Sequence, residues 1–543
     1  MTTFRVWAPR AERVEVVAGE TRLPMHDGGG GWFDAEADVT DYAFSLDGGP
    51  PRPDPRSPWQ PDGVDGPSRV VDHEAFQWTD HSWKGVHLPS AVAYELHVGT
   101  FTPEGTFDAV IGRLDHLVDL GVDVVGLMPV AEFSGDRGWG YDGVDLYAPH
   151  HAYGGPDGLK RLVDACHATG IGVVLDVVYN HLGPAGNYLS EFGPYFTDKY
   201  ATPWGEAVNL DGPDSDEVRR FFVDNALMWM RDYHVDGLRL DAVHAIVDAS
   251  AVHLLEQLAI EVADLSAHVG RALHLIAESD LNDPRLIWRR EAGGYGLDAQ
   301  WSDDLHHALH AVLTGERSGY YADFGRLSQI ATALRRAYVY AGEHSHFRRR
   351  RHGRPPGPVP GWRFLGYLQN HDQVGNRAAG ERSSHLMSTE RLKIGAALVA
   401  TAPFVPMFFQ GEEWGAATPF LYFTDHKDPE LGRAVSHGRR REFASFGWDP
   451  EDVPDPQAEE TFLRSKLDWA ELDEPEHADM LAWHRSLIEL RRRRPELGDG
   501  RMDLVQVEAD DDAGTLVVRR GGVTVSVQLG PDGDRVVIDE EAG

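Results

Sequence analysis

The sequence predicts an α/β protein: a closed (β/α)8 TIM barrel with an N-terminal β-sandwich and a small C-terminal β domain. Three observations carry this reading. First, four apolar, β-branched-rich runs each stop abruptly at a polar cluster. They are DVVYNHLGP (176–184), GLRLDAVH (237–244), LIAESDLND (275–283) and FLGYLQNHDQVGNR (364–377). Parallel strands whose carboxyl ends build a site have this pattern. Second, strand-like and helix-like stretches alternate from residue 91 until eight strands are complete. Third, the first 85 residues and residues 500–540 read as short strands and turns.

Residues 1–85 are expected to form the sandwich. FRVWAP (4–9) and RVEVV (13–17) alternate like strands, and GGGG (28–31) and PPRPDPRSP (50–58) punctuate them. The catalytic barrel is expected over 86–495. Its first strand is AVAYELHVG (91–99), followed by an amphipathic helix over 106–121 that Gly121 closes. VDVVGLMPV (122–130) is the second strand, 157–170 the next helix, and IGVVLDVVY (171–179) the third strand. Residues 182–213 are loop-rich and read as a short insertion, and a helix over 216–234 leads into strand four at 237–243. Strands five to eight are HLIAES (274–279), DAQWSD (298–303), FLGYLQN (364–370) and FVPMFFQ (404–410). A final helix over 478–494 precedes the C-terminal β domain at 496–543.

Composition narrows the function. A formal charge of −36 over 543 residues disfavours nucleic acid and anionic membranes as partners. The single cysteine, Cys166, excludes an internal disulfide and a Cys-rich zinc site. The start, MTTFRVWAPR, lacks a signal-peptide pattern, so a cytoplasmic protein is expected. The most apolar stretch, IGAALVATAPFVPMFFQ (394–410), contains Pro403 and Pro406 and reads as a helix followed by a buried strand. The basic runs at 348–354 and 491–494 read as solvated faces or helix-end charges.

The strand ends supply three acids, Asp241, Glu278 and Asp372, 37 and then 94 residues apart. Two carboxyls on neighbouring strand ends are the equipment of glycoside hydrolysis, one ionised and one protonated. Arg239 lies two residues before Asp241, on the same face of the strand, and can keep it ionised. Glu278 has no adjacent cation and is the better protonated acid. A third carboxylate, Asp372, can bind sugar hydroxyls, and His181 and His371 can donate to them. Taken singly, each residue could instead be a strand-end salt bridge or a helix cap. Trp and Tyr in RGWGYDG (137–143) and DAQWSDD (298–304) can cover the apolar faces of sugars, although Trp301 could equally be core. His150, His151, His306 and His307 are ligand-like residues. As adjacent pairs they would face opposite sides of a strand, and they lack ligand spacing.

The four strand-end stretches resemble the signature regions of the α-amylase family, glycoside hydrolase family 13. The resemblance implies Asp241 as nucleophile, Glu278 as general acid/base and Asp372 as transition-state stabiliser. It implies Arg239, His181 and His371 as substrate-site partners, Tyr141 stacking at the cleaved sugar, and retention of configuration. FRVWAPRAERVEVV (4–17) resembles the sandwich that precedes the barrel in branching, debranching and trehalose-releasing members. YELHVGTFTPEGTF (94–107), GYDGVDLYAPHHAYG (140–154), WSDDLHHALH (301–310) and QNHDQVGNRA (369–378) resemble the trehalose-releasing members. These cleave the α-1,4 bond beside the terminal trehalose of a maltooligosyltrehalose, the product of a maltooligosyltrehalose synthase. A branching or debranching enzyme is the alternative. Branching enzymes typically end strand seven in Ser-His-Asp-Glu, whereas this chain has Asn370, His371, Asp372 and Gln373. For the trehalose end, the candidates are Asp303, Asp304, His306, Gln373 and Asn376, with Trp301 as a stacking surface; Asp304 and Gln373 are preferred because each follows a strand end. No cofactor and no metal are expected, because 182–213 is short for the calcium-stabilised insertion of ordinary α-amylases.

Overall fold

The computed structural model describes residues 1–444, 449, 453–531 and 533–541. Eight parallel strands close into a barrel. In chain order they are Ala93–Leu96, Val124–Leu127, Gly172–Val177, Gly237–Leu240, His274–Ala277, Ala299–Trp301, Phe364–Gly366 and Val405–Phe409. Every strand predicted for the barrel forms, shortened at its ends where the polar clusters begin. The runs are continuously apolar because helices cover the outside and packed side chains fill the inside. Val174, Ile276, Leu365 and Met407 belong to that interior cluster.

The helices follow their sequence signals. The stretch expected as one helix over 106–121 is two, Phe107–Ile111 and Leu114–Leu120, broken at Gly112 and Arg113. Thr106 caps the first through Ala109 N–H, and Gly121, at φ 95°, ends the second in the left-handed conformation a glycine adopts without strain. Gly155–Thr169, Ser215–Asp232 and Pro475–Arg493 match the other expected helices within a few residues. The apolar stretch at 394–410 splits into helix Thr389–Ala400 and strand Val405–Phe409. Among the described residues no helix is long and apolar enough to cross a membrane. Residues 182–213 carry a short helix, Leu189–Phe192, and a hairpin, Phe196–Thr202 with Gly205–Val208.

Two antiparallel sheets precede the barrel, one of three strands and one of four. Phe4, Val6, Val14, Val16, Phe33 and Phe44 are buried among them. A four-stranded antiparallel sheet, Gln506–Asp510 to Arg535–Glu540, follows it. Its two central strands bury alternate residues, Leu516 and Val518, then Val523, Val525 and Val527, so one face packs inward. In the stretch 496–543, residues 532, 542 and 543 lie outside the described residues.

A buried charge cluster ties the segment after the sandwich to the amino-terminal end of the barrel. His167 Nδ1 lies 2.8 Å from Asp80 and Nε2 lies 2.9 Å from Asp236. Trp83 stacks on the ring and donates to Asp236. A ring with a carboxylate at each nitrogen is an imidazolium. Burial opposes that charge, but Asp236 and Asp80 outweigh it and raise the His167 pKa. The stabilisation is therefore complete below the unfolded value of about 6.5 and is lost as pH rises through the folded value, at about 1.4 kcal/mol per pH unit in between. Urea midpoints should fall across that window in the parent chain, and the fall should vanish in His167→Asn. Parallel pH dependences in the two proteins would contradict this account.

Candidate active site

The carboxyl ends of the barrel strands open into a cleft of about 800 Å³, lined among others by Tyr141, His181, Arg239, Asp241, Glu278, His371, Asp372 and Gln373. Arg239 is its organising cation. It is 5% exposed. Its Nη1 donates to Asp176 Oδ2 at 2.6 Å and Asp241 Oδ1 at 2.8 Å, and Nη2 lies 3.5 Å from Glu278 Oε2. Arg239 and Asp241 share a side of the strand, as their spacing requires. The second oxygen of Asp241 accepts from Asn180 Nδ2 at 2.7 Å. Both carboxylate oxygens are thus met by donors.

Glu278 sits differently. Its carboxyl accepts the backbone N–H of Ala242, at 2.6 Å. Ala242 holds φ 39°, a left-handed conformation that costs an alanine roughly 1–2 kcal/mol. Burial pushes the Glu278 pKa well above the ordinary carboxyl range; Arg239 offsets part of this, and Asp241, Asp303 and Asp372 add to it. That shift favours the protonated Glu278 carboxyl. Burial likewise pushes Asp176 up to about 6, against the pull of Arg239.

Asp372 is solvent-exposed in the cleft, on the first turn of the short helix His371–Gly375, where its backbone N–H donates to the Asn370 cap. Asn376 donates to Asp372 Oδ1 at 2.5 Å. His181 Nε2 faces the Tyr141 carbonyl at 2.9 Å and Nδ1 faces Asn180 Oδ1 at 2.5 Å, both of them acceptors, and the ring stacks on Trp204 at 4.7 Å. Tyr141 O–H donates to Asp176 Oδ2 at 2.7 Å.

Two expected ligand-facing residues lie elsewhere. Asp304 is 4% exposed and does not line the cleft. Its Oδ2 accepts from Asn282 and from the Val339 and Tyr340 N–H groups at 2.7–2.9 Å. The chain turns from strand into helix at Ser302, so neighbours diverge: Asp303 faces the cleft and Asp304 faces the 339–340 loop. Asp304→Ala should therefore cost stability, by about 1–3 kcal/mol for donors left unsatisfied, and an unchanged urea midpoint would contradict this. Trp301 is also core. It lines a small cavity inside the barrel, and the Arg239 guanidinium lies 4.3 Å above its ring. His306 is buried against Leu368 O and Tyr321, and the cleft-facing member of that pair is His307. Gln373 lines the cleft, and its Oε1 also accepts the Asn370 N–H in a capping box.

The sequence reading passed over Glu95, Asp176, Asn180, Trp204, Tyr320 and Phe347. Asp176 and Asn180 stand inside a quoted strand end, and the period-two face shared with other strand ends marks Asp176. Trp204, Tyr320 and Phe347 are exposed aromatics on the cleft rim. They come from segments with no motif of their own.

The histidine pairs are not on strands. His306 and His307 belong to helix Asp303–Thr314, and His151 starts a single 3-10 turn after His150. Among the described residues, Glu132, His150 and His151 come close enough to hold an ion, as do the exposed Glu474 and Glu476 with the half-buried His477. In the first group the Ala152 N–H donates to His150 Nδ1, which puts the proton of a neutral ring on Nε2, the atom that faces Glu132. His151 Nδ1 is already bound to Glu132 at 2.7 Å.

A closed parallel barrel with two neighbouring carboxyls in unlike environments at its strand ends, one met by Arg239 and Asn180 and one raised by burial, defines a glycoside hydrolase of the α-amylase class. The comparisons agree. The α-amylase catalytic domain family matches residues 67–201. A malto-oligosyltrehalose trehalohydrolase from Arthrobacter ramosus is 54% identical over 97% of this chain and 93% of its own length. A crystal structure of a Salmonella typhimurium protein described as an alpha amylase superposes with a TM-score of 0.90 at 42% identity, covering 97% of this chain and 90% of that one. A branching enzyme from Pseudoalteromonas atlantica matches only 45% of this chain and 38% of its own length, at 32% identity. The chain belongs to the malto-oligosyltrehalose trehalohydrolase family.

Proposed function

We propose that this chain is a retaining glycosidase that cleaves the α-1,4-glucosidic bond beside the terminal trehalose of a maltooligosyltrehalose, releasing trehalose. The observation that carries the chemistry is the split environment of two neighbouring carboxyls. Arg239 and Asn180 donate to the two oxygens of Asp241, while burial favours the protonated form of Glu278. Asp241 attacks the anomeric carbon as Glu278 gives its proton to the leaving oxygen, and trehalose departs. Glu278, now ionised, takes a proton from water. That water cleaves the glycosyl–Asp241 ester, returning an oligosaccharide of α configuration. Asp372 stabilises the oxocarbenium-like charge. His181, His371 and Tyr141 surround the cleaved sugar. Gln373 and Asp303 line the cleft where the departing disaccharide can be recognised.

The identity to trehalohydrolases over nearly the whole chain supports the trehalose-releasing reading. The partial branching-enzyme match and the Asn370–Gln373 strand-seven ending weigh against transglycosylation. A maltooligosyltrehalose synthase is the reaction that must precede this one, and the cytoplasm is the proposed location. The test is product analysis on a trehalose-capped and a plain maltooligosaccharide of equal length. Trehalose should be the main product of the first, and the plain chain should be cleaved far more slowly. Equal rates on both, or new α-1,6 branches, would overturn the proposal.

A further inference from the structure

His371 is held from both sides, and one holder lies outside the strand-end motifs. Glu95, 4% exposed, stands on barrel strand one, separated from strand seven by strand eight. Its Oε2 accepts the backbone N–H of His371 at 2.9 Å, and its Oε1 lies 2.6 Å from His371 Nδ1. The other ring nitrogen, Nε2, lies 2.8 Å from the Tyr141 hydroxyl. The Tyr141 proton is committed to Asp176, so its oxygen can only accept from Nε2. Nδ1 meets a carboxylate and must donate as well. Both nitrogens therefore carry protons, and the ring is an imidazolium.

We propose that Glu95 is a positioning residue for the glycosidase reaction: it clamps His371 by ring and backbone, fixes it as a cation against Tyr141, and so sets the start of the helix that carries Asp372. This rests on the glycosidase reading above. The groups facing the ring are Glu95 from strand one and His97 just past it, Tyr141 after strand two with Asp176 behind it, Arg239 from strand four, and the adjacent Asp372. Burial opposes the charge and Arg239 adds to that opposition; Glu95, first among the supporting groups, and Asp372 outweigh both, so the His371 pKa is raised. Without Glu95, burial and Arg239 favour the neutral ring, which then offers one donor where the site needs two. The cleft would lose a cation beside Arg239 as pH rises.

The experiment uses Glu95→Gln in the full chain and has two readouts. The first is nitrogen-15 NMR of labelled histidine, with the His371 signals assigned by their loss in His371→Asn. At pH 7 both ring nitrogens should be protonated in the parent protein, and the ring should have lost one proton in Glu95→Gln. The second is kcat relative to the parent protein at the same pH, on the trehalose-capped oligomer. The loss should be about tenfold greater at pH 8 than at pH 5.5, where solvent protons restore the cation. Glu95→Gln should add little in a His371→Asn background if it acts through that ring. A ring still doubly protonated at pH 7 in Glu95→Gln, or an equal loss at both pH values, would overturn the proposal. The NMR readout needs no substrate, so failure of the trehalose reading would leave it standing, and its own failure would leave that reading untouched.

Discussion

Turnover is expected to fall by about 10²–10⁴-fold in Glu278→Gln and further in Asp241→Ala, with the fold intact. Neither change strips the site of its cation. Without Asp241, Arg239 keeps Asp176 and Glu278; in Glu278→Gln, the amide oxygen can still accept the Ala242 N–H. The two variants should fail at different steps. Glu278→Gln lacks the proton for the leaving oxygen, so an aryl glycoside with an acidic leaving group should recover much of the first step. Asp241→Ala lacks the attacking group and should gain nothing from that substrate. The pH dependence has a definite sign. A raised Glu278 pKa extends the protonated acid to higher pH than an ordinary carboxyl allows, and activity should drop as pH rises past it. Folded variants with near-parent rates would remove these residues from the mechanism.

The second large effect belongs to Arg239. Arg239→Met would leave Asp176, which is buried, and Asp241 facing a site without their cation. Removing one partner of a buried pair costs about 3–5 kcal/mol, because the other charge stays behind. Urea denaturation should register a loss of that size, along with near-complete loss of turnover as Asp241 loses the cation that pairs with it and orients it. Adding Asp176→Asn should recover part of the stability and none of the activity. A stability loss unaffected by the second change would show that Arg239 contributes packing, through its contact with Trp301, rather than charge balance.

The barrel was legible because its strands are apolar runs with abrupt polar ends, and all eight form where the alternation places them. The acids were legible for the same reason: Asp241 and Glu278 each stand just past a strand, Asp372 stands on the short helix that follows strand seven, and the fold brings them to one cleft. Legibility fades where direction depends on a turn. Asp303 and Asp304 are adjacent and chemically alike, yet the strand-to-helix turn sends one to solvent and one to the 339–340 loop. Trp301 has the composition of a sugar platform, but as the last residue of its strand it points into the barrel beneath Arg239. Glu95 is hidden for another reason. It lies within a buried strand where a charge is out of place, and only the distance to His371, 276 residues away, explains it.

The most direct measurement of the central claim is the anomeric configuration of the new reducing end, followed by proton NMR in the first moments of hydrolysis of a trehalose-capped oligomer. Retention needs the Asp241 and Glu278 carboxyls about 5–5.5 Å apart, so that one can attack while the other protonates. The account predicts the α-anomer first, relaxing to the equilibrium mixture by mutarotation, with trehalose released in step. A β-anomer appearing first would mean that water attacks directly, and the assignment of Asp241 as nucleophile would be wrong.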